Sequence, residues 1–215
     1  MKNVRFRIIF SKQRLEHYKD INEHFENLKL ISKIMPKIAI LEIYLRNALD
    51  YELNSNCKEW IKTSDNPFLL AKINEFKDKD SLEPHQILSR LSLGVVAKLI
   101  ISYKVQNKIL DLRAFDFRKY SSSNRNFFIY ENTKQGFDNI DKVNIVLNLL
   151  HTLRNRACHF ENLLKIREND NKLYPRISTK EKGTNIGLMP DKIENFLNDL
   201  ICLINKDLLD YLNRG

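Results

Sequence analysis

At 215 residues the chain is long enough for one packed domain, and only five glycines and five prolines interrupt a composition rich in Leu, Ile, Lys, Glu and Asn. Three cysteines, Cys57, Cys158 and Cys202, stand far apart with no Cys-x-x-Cys spacing, which argues against a disulfide framework or a zinc knuckle and fits a reducing cytoplasm. The net charge is +9, from 36 Lys plus Arg against 27 Asp plus Glu, and neither a signal peptide nor a membrane-spanning run is apparent. A soluble, cytoplasmic, all-α domain spanning residues 1–215, a helical bundle with loop insertions, is the expectation.

Taken in chain order, residues 1–30 form a basic N-terminal segment, in which "VRFRIIF" (4–10) reads either as a short strand or as a basic arm. "PKIAILEIYLRNALDYELN" (36–54) is apolar nearly all round and begins with Pro36 in a first-turn position, which predicts a central helix. "PHQILSRLSLGVVAKLIISY" (84–103) predicts another, weakened at Gly94. The stretch 121–137 reads as a loop carrying aromatic side chains. Residues 141–167 read as a helix with Asp141 as N-cap, and 168–190, with Pro175, Gly183 and Gly187, as a second loop. A last helix is expected over 192–213, after an Asp191-x-x-Glu194 pairing that resembles a capping box.

Chemistry concentrates in "RNRACH" (154–159). At about 100° per residue, Val146, Leu150, Leu153, Ala157, Phe160 and Leu164 form one apolar stripe. The opposite side collects Asn144, Asn148, His151, Asn155, Cys158, His159 and Asn162, with hardly any full charge, unlike an ordinary solvated face of Lys and Glu. Arg154 and His159 diverge by roughly 140° around one helix, so they converge more easily across two copies of it than within one. An imidazole exchanges protons near neutral pH, a guanidinium grips phosphate with a bidentate fork, and an amide orients either. Arg154, Asn155 and His159 are therefore candidates for metal-free RNA cleavage, in which a ribose 2′-hydroxyl attacks the adjacent phosphate. A helix whose Asn and His amides merely pack against another subunit fits the hexapeptide equally well, and His151 reads as structural support. Glu42 and Arg46, four apart in "LEIYLRNAL" with Asn47 beside them, form either a plain ion pair or a brace behind the Arg-Asn-His helix.

Positive charge is uneven. Residues 1–20 carry six basic side chains against two acidic, and 154–182 eight against four, whereas 191–215 carry three against five. Such clusters attract polyanions. Arg5, Arg7, Lys12 and Arg14 in the first cluster, and Arg156, Lys165 and Arg167 in the second, are the candidates to contact an RNA backbone; the bland alternative is a solvated face.

Four segments in succession resemble the Abi-like (abortive infection) family, a branch of the HEPN superfamily whose ribonucleases carry an Arg, four to six residues, His signature. "FSKQRLEHY" (10–18) resembles its Ser-x-x-Arg-Leu-x-x-Tyr opening, "LEIYLRNAL" (41–49) its Glu-x-x-x-Arg-Asn helix, and "HQILSRLSLGVVAKLI" (85–100) the segment where a Leu-Ser-Phe/Leu-Gly quartet precedes a further apolar helix. "LRNRACHFENLLKI" (153–166) is similar to its Leu-Arg-Asn-Arg-x-x-His stretch, aligning Arg154, Asn155, His159 and Glu161. Phe160 stands where relatives often have a second His, Asn162 where Pro is common, and Val95 or Val96 where an aromatic is usual. The resemblance implies a HEPN-like all-α fold, a homodimer, RNA cleavage without metal or cofactor, and a toxin role in phage defence restrained by an antitoxin or a structured noncoding RNA. A non-catalytic RNA-binding protein using the same basic dimer surface is the alternative.

The charge distribution generates a first prediction. Affinity for a structured RNA, measured by filter binding, should fall linearly in log–log form between about 50 and 200 mM salt, and a flat response would remove the electrostatic basis for RNA as partner.

Overall fold

In the computed structural model, which describes residues 8–169 and 172–212, the longest element begins where the Asp20 carboxylate accepts a hydrogen bond from the Glu23 amide at 2.8 Å. This N-cap starts α1, Ile21–Asn56, fifteen residues before the proline that the sequence reading took as a first-turn residue. Pro36 lies inside the helix instead. It and Ser32, whose carbonyl loses the proline's N–H, are both exposed, so water can satisfy the gap. Ile31, Ile34, Ile38, Leu41, Leu45, Leu49 and Leu53 recur at three- and four-residue spacing and are all buried, forming the seam of the core.

α2 (Pro67–Asn74) starts at Asn66, whose side chain accepts from the Phe68 amide at 3.0 Å. The helix expected over 84–103 is two helices, α3 (Pro84–Arg90) and α4 (Leu93–Ser102), separated by extended backbone at Leu91 and Ser92. The interruption leaves the Leu91 carbonyl free to accept from Arg46 Nη2 at 3.1 Å. α5 (Asn139–Cys158) opens with a reciprocal cap: the Asp141 amide donates to Asp138 at 2.8 Å and the Asp138 amide to Asp141 at 3.2 Å. The cap is thus Asp138, not Asp141, and the helix ends at Cys158, not near 167. α6 (Ile193–Asn205) packs with α1 and is followed by a short helix, Asp207–Leu212. Glu194 does not cap it. Its carboxylate pairs with Lys33 at 2.6 Å and Lys37 at 3.3 Å, tying α6 to α1.

The all-α expectation is overturned: the protein is 61% helical and 12% strand, with three small antiparallel sheets among the described residues. β1 (Phe127–Tyr130) pairs with β2 (Thr133–Gly136), β3 (Ile166–Asn169) with β4 (Lys172–Pro175), and β5 (Ile177–Glu181) with β6 (Thr184–Leu188). All three hairpins fall mainly in the stretches read as loops or as the end of the motif helix. The β1–β2 and β5–β6 connections are two-residue turns with both residues at positive φ, Glu131 and Asn132 in one, Lys182 and Gly183 in the other, which matches the right-handed twist of paired strands. β5 lies on α5 and carries β6 beside it, with Ile177, Ile186 and Leu188 fully buried.

Buried polar side chains lock the long connections to this frame. Lys142 donates to the carbonyls of Arg113 at 2.7 Å and Phe115 at 2.9 Å, while burial holds its ammonium below the ordinary lysine range. Asn124 donates to the carbonyls of Phe117 and Gly187, both at 2.8 Å, and accepts from the Gly187 amide at 2.8 Å. Among the described residues no helix is long and apolar enough to cross a membrane. Removing the Asn124 amide takes the partner from the Gly187 N–H and carbonyl at a buried position, while the Phe117 carbonyl keeps the Tyr120 amide at 3.1 Å, so Asn124→Ala should cost about 1–3 kcal/mol, read as a lower urea midpoint at unchanged slope.

Candidate functional site

The end of α5 sets the geometry. His159 is the C-cap and Phe160 follows in the left-handed region at φ 52°; the Phe160 amide donates to the Ala157 carbonyl at 3.0 Å and the Glu161 amide to Arg156 at 2.9 Å. This is a Schellman closure with phenylalanine where glycine is usual. Val146, Leu150, Leu153 and Ala157 are buried as the stripe requires, but Phe160 is 51% exposed and Leu164 half-buried, because the helical period stops before either. Placing Phe160 on the core stripe was therefore wrong.

The chain past this turn folds against the N-terminal helical turn Lys12–Leu15 and the residues after it. Arg14 Nη1 donates to the Phe160 carbonyl at 2.8 Å and Tyr18 to the same oxygen at 3.3 Å. Asn162 donates to the His17 carbonyl at 2.8 Å. Asn27 of α1, fully buried, joins both pieces: its amide nitrogen donates to Tyr18 at 3.1 Å and to the Glu161 carbonyl at 3.0 Å, and its oxygen accepts from the Leu163 amide at 2.8 Å.

Between them lies a cleft of about 330 Å³ whose walls include Arg14, His17, Tyr18, His159, Glu161 and Arg176. Arg156 and Arg176 both bond the Glu161 carboxylate, and the Arg14 side chain donates to the Phe160 carbonyl, so three guanidinium groups gather around one carboxylate. Burial pushes the Glu161 carboxyl up, but the hydrogen bond from Arg176 and the charge of Arg156 outweigh it and hold the group below the usual carboxylate range. Burial raises the Tyr18 phenol, partly offset by the Arg14 charge.

The sequence candidates divide between this cleft and the flank of α5. Arg154 Nε lies 3.4 Å from Glu42, which also meets Arg46 at 3.4 Å, so one half-buried carboxylate joins α1 to the motif helix. Asn155 meets His151 Nε2 at 2.9 Å, and the His151 ring packs so closely on Gly94 that a Cβ there would sit 2.6 Å from it. Burial, then the charges of Lys98 and Arg154, lower the His151 imidazole below its ordinary range. Asn47 is exposed. His159, by contrast, lines the cleft, anchored through Asn27, which is fifteen residues or about 22 Å along α1 from Glu42. Within one chain, then, Arg154 and Asn155 engage one set of neighbours and His159 another.

Of the RNA-binding candidates, Arg14 enters the cleft, Arg156 supports it through Glu161, Lys12 is exposed and pairs with Glu16 at 3.6 Å, Lys165 is half-buried, and Arg167 is exposed on β3; Arg5 and Arg7 lie outside the described residues. His17, Tyr18, Asn27 and Arg176 were not foreseen as site residues. Tyr18 and Arg14 did stand in the "FSKQRLEHY" motif, whereas nothing local singles out Asn27 or Arg176. Among the described residues no group of three or more His, Cys, Asp or Glu is placed to hold a metal ion, and the three cysteines are free and exposed. A larger cleft of about 610 Å³ runs along the β-hairpins, lined by Ser122, Arg125, Tyr174, Lys182 and Asn185 among others.

Comparison with protein-family models, with curated proteins and with solved structures gives no match to this chain.

The geometry makes Asn27 the joint of the site. Asn27→Ala should lower stability by about 2–4 kcal/mol, since two acceptors and a donor lose their partner, and should speed hydrogen exchange at residues 12–18 and 160–163 more than in α1. Uniform exchange across these segments would show that the joint is not there.

Proposed function

We propose that this protein is a metal-independent endoribonuclease of HEPN type, a toxin of phage defence that works as a homodimer. The observation that carries the reading is the cationic cleft beyond the end of α5, where His159 faces Arg14 and Arg176. A phosphodiester entering it meets guanidinium donors that stabilise growing charge and an imidazole that can move a proton. The reaction needs nothing further in kind: the ribose 2′-oxygen bonds to phosphorus, the bond to the 5′-oxygen breaks, and a cyclic phosphate and a 5′-hydroxyl result.

Arg154 and Asn155 complete this scheme across two chains. Since Arg154 is held by Glu42 on the flank of α5, away from the residues that line the cleft, it reaches a phosphate beside His159 when a second copy presents it. Restraint by an antitoxin or a structured noncoding RNA, and a cytoplasmic location, belong to the same proposal. The basic clusters of residues 1–20 and 154–182 suit an RNA partner.

The test is cleavage of a fluorogenic RNA with and without chelator. Wild type should cut equally well in both, and His159→Ala should lose about 10²–10⁴-fold in rate while retaining its melting temperature, because its side chain is exposed. Mixing Arg154→Ala with His159→Ala protein should restore part of the activity through sites that draw one residue from each chain. Chelator-sensitive cutting, or a fully active His159→Ala protein, would overturn the reading.

A further inference from the structure

Resting on that reading, we propose that His17 is the second proton-transfer residue of the cleft, paired with His159 of the same chain.

Cleavage by 2′-hydroxyl attack moves two protons at different places. One leaves the 2′-oxygen as its bond to phosphorus forms, and one arrives on the 5′-oxygen as its bond to phosphorus breaks. A neutral imidazole takes the first and a protonated imidazole gives the second, so the pair ends with its protons exchanged and none gained or lost overall. One histidine cannot be neutral and protonated in the same encounter. The reaction assigned to His159 thus requires a partner within reach of the same phosphate.

The cleft supplies one candidate by elimination. Besides His159, the titratable or charged groups on its walls are Arg14, His17, Tyr18, Glu161 and Arg176. The two arginines keep their charge at any pH at which the protein folds. Glu161 is bonded by Arg156 and Arg176, which hold it ionised through the neutral range. The Tyr18 hydroxyl is committed, donating to the Phe160 carbonyl and accepting from Asn27, and burial raises it away from neutrality. His24, behind Tyr18 at a ring distance of 4.7 Å, is buried and does not line the cleft. Outside the lining residues, the Glu23 charge acts on Tyr18, and Lys12 and Glu16 pair at 3.6 Å. His17 remains.

The backbone supports the assignment. The His17 amide donates to the Arg14 carbonyl at 3.2 Å, and its carbonyl accepts from buried Asn162 at 2.8 Å. The His159 amide donates to the Asn155 carbonyl at 3.1 Å. Each histidine therefore springs from a main chain fixed on its own wall, is exposed, and lines the cleft. Arg14 and Arg176 flank that space with the charge a phosphate needs. Two histidines on opposite walls of one cleft, with two arginines beside them, thus belong to one chain.

The test uses the full-length protein and a short RNA with a single cleavable linkage. Wild type should give a bell-shaped dependence of kcat on pH, one limb from each imidazole. His17→Ala and His17→Gln should each lower kcat about 10²–10⁴-fold, lose one limb, and bind uncleavable 2′-deoxy substrate within about threefold of wild type. The Gln variant keeps a polar side chain of similar reach should the Ala variant unfold. A substrate with sulfur in place of the bridging 5′-oxygen needs no acid, so it should rescue either the His17 or the His159 variant, and not both. Mixed His17→Ala and His159→Ala proteins should stay inactive, since every cleft then lacks one histidine. A His17 variant that cuts at the wild-type rate with both limbs intact, or a mixture that regains activity, overturns the same-chain pair and leaves the ribonuclease reading standing. A wild type that cuts no RNA overturns both.

Discussion

One buried carboxamide holds the site together. Asn27 is sealed from solvent on the helix that carries the core seam, and its three hydrogen bonds reach Tyr18, Glu161 and Leu163. A polar group in that position is costly unless every strong valence is met, and here donor and acceptor atoms are both engaged. The consequence is that two peripheral stretches, one near each end of the chain's long helical frame, take their positions from a single side chain on α1. The walls of the cleft, and the spacing of the histidines on them, follow from that attachment.

Charge is arranged around the same helix in two separate layers. Toward its middle, Glu42 collects Arg46 and Arg154, the first of which also bonds the Leu91 carbonyl, so that α1, the α3–α4 break and α5 are joined through one carboxylate. Near its start, the acidic partner is Glu161, shared by Arg156 and Arg176. In each layer two guanidinium groups face one carboxylate. Each cluster therefore carries one more cation than acid, which makes the flank of α5 and the space past its end attractive to anions. These half-exposed pairs contribute little to stability on their own; their value is in orientation.

Much of this was readable in advance, and the failures have physical causes. The apolar repeat in 36–54 and 146–157 marked buried helices correctly, because the three- and four-residue spacing of Leu, Ile and Val survives any tertiary context. The helix ends were misplaced where a side-chain cap outranked an apparent one: Asp20 and Asp138 set the starts that Pro36 and Asp141 had suggested. The end of α5 lacked the glycine that usually announces a left-handed cap, so periodicity ran on through Phe160 into what is β3. The hairpins were the largest omission. "FFIY-EN-TKQG" and "ISTKE-KG-TNIGL" carry β-branched and aromatic residues around two-residue turns, a signal masked by the surrounding Ser, Asn and Lys. Of the site, the motif on α5 was visible locally and His17 stood within "FSKQRLEHY", but Asn27 and Arg176 join them only through contacts between distant segments, which no local pattern encodes.

Those distances in sequence impose an order of assembly. Arg14 and Tyr18 meet the Phe160 carbonyl across 146 and 142 residues, and Asn162 meets His17 across 145. Closing a loop of that size gains nothing until the intervening chain has condensed, so the cleft is among the last features to form. On a ribosome, the N-terminal turn emerges long before its counterpart past α5 has been made. A chain in synthesis therefore carries every residue of its first wall but no enclosed space until the stretch from His159 to Arg176 has been made as well.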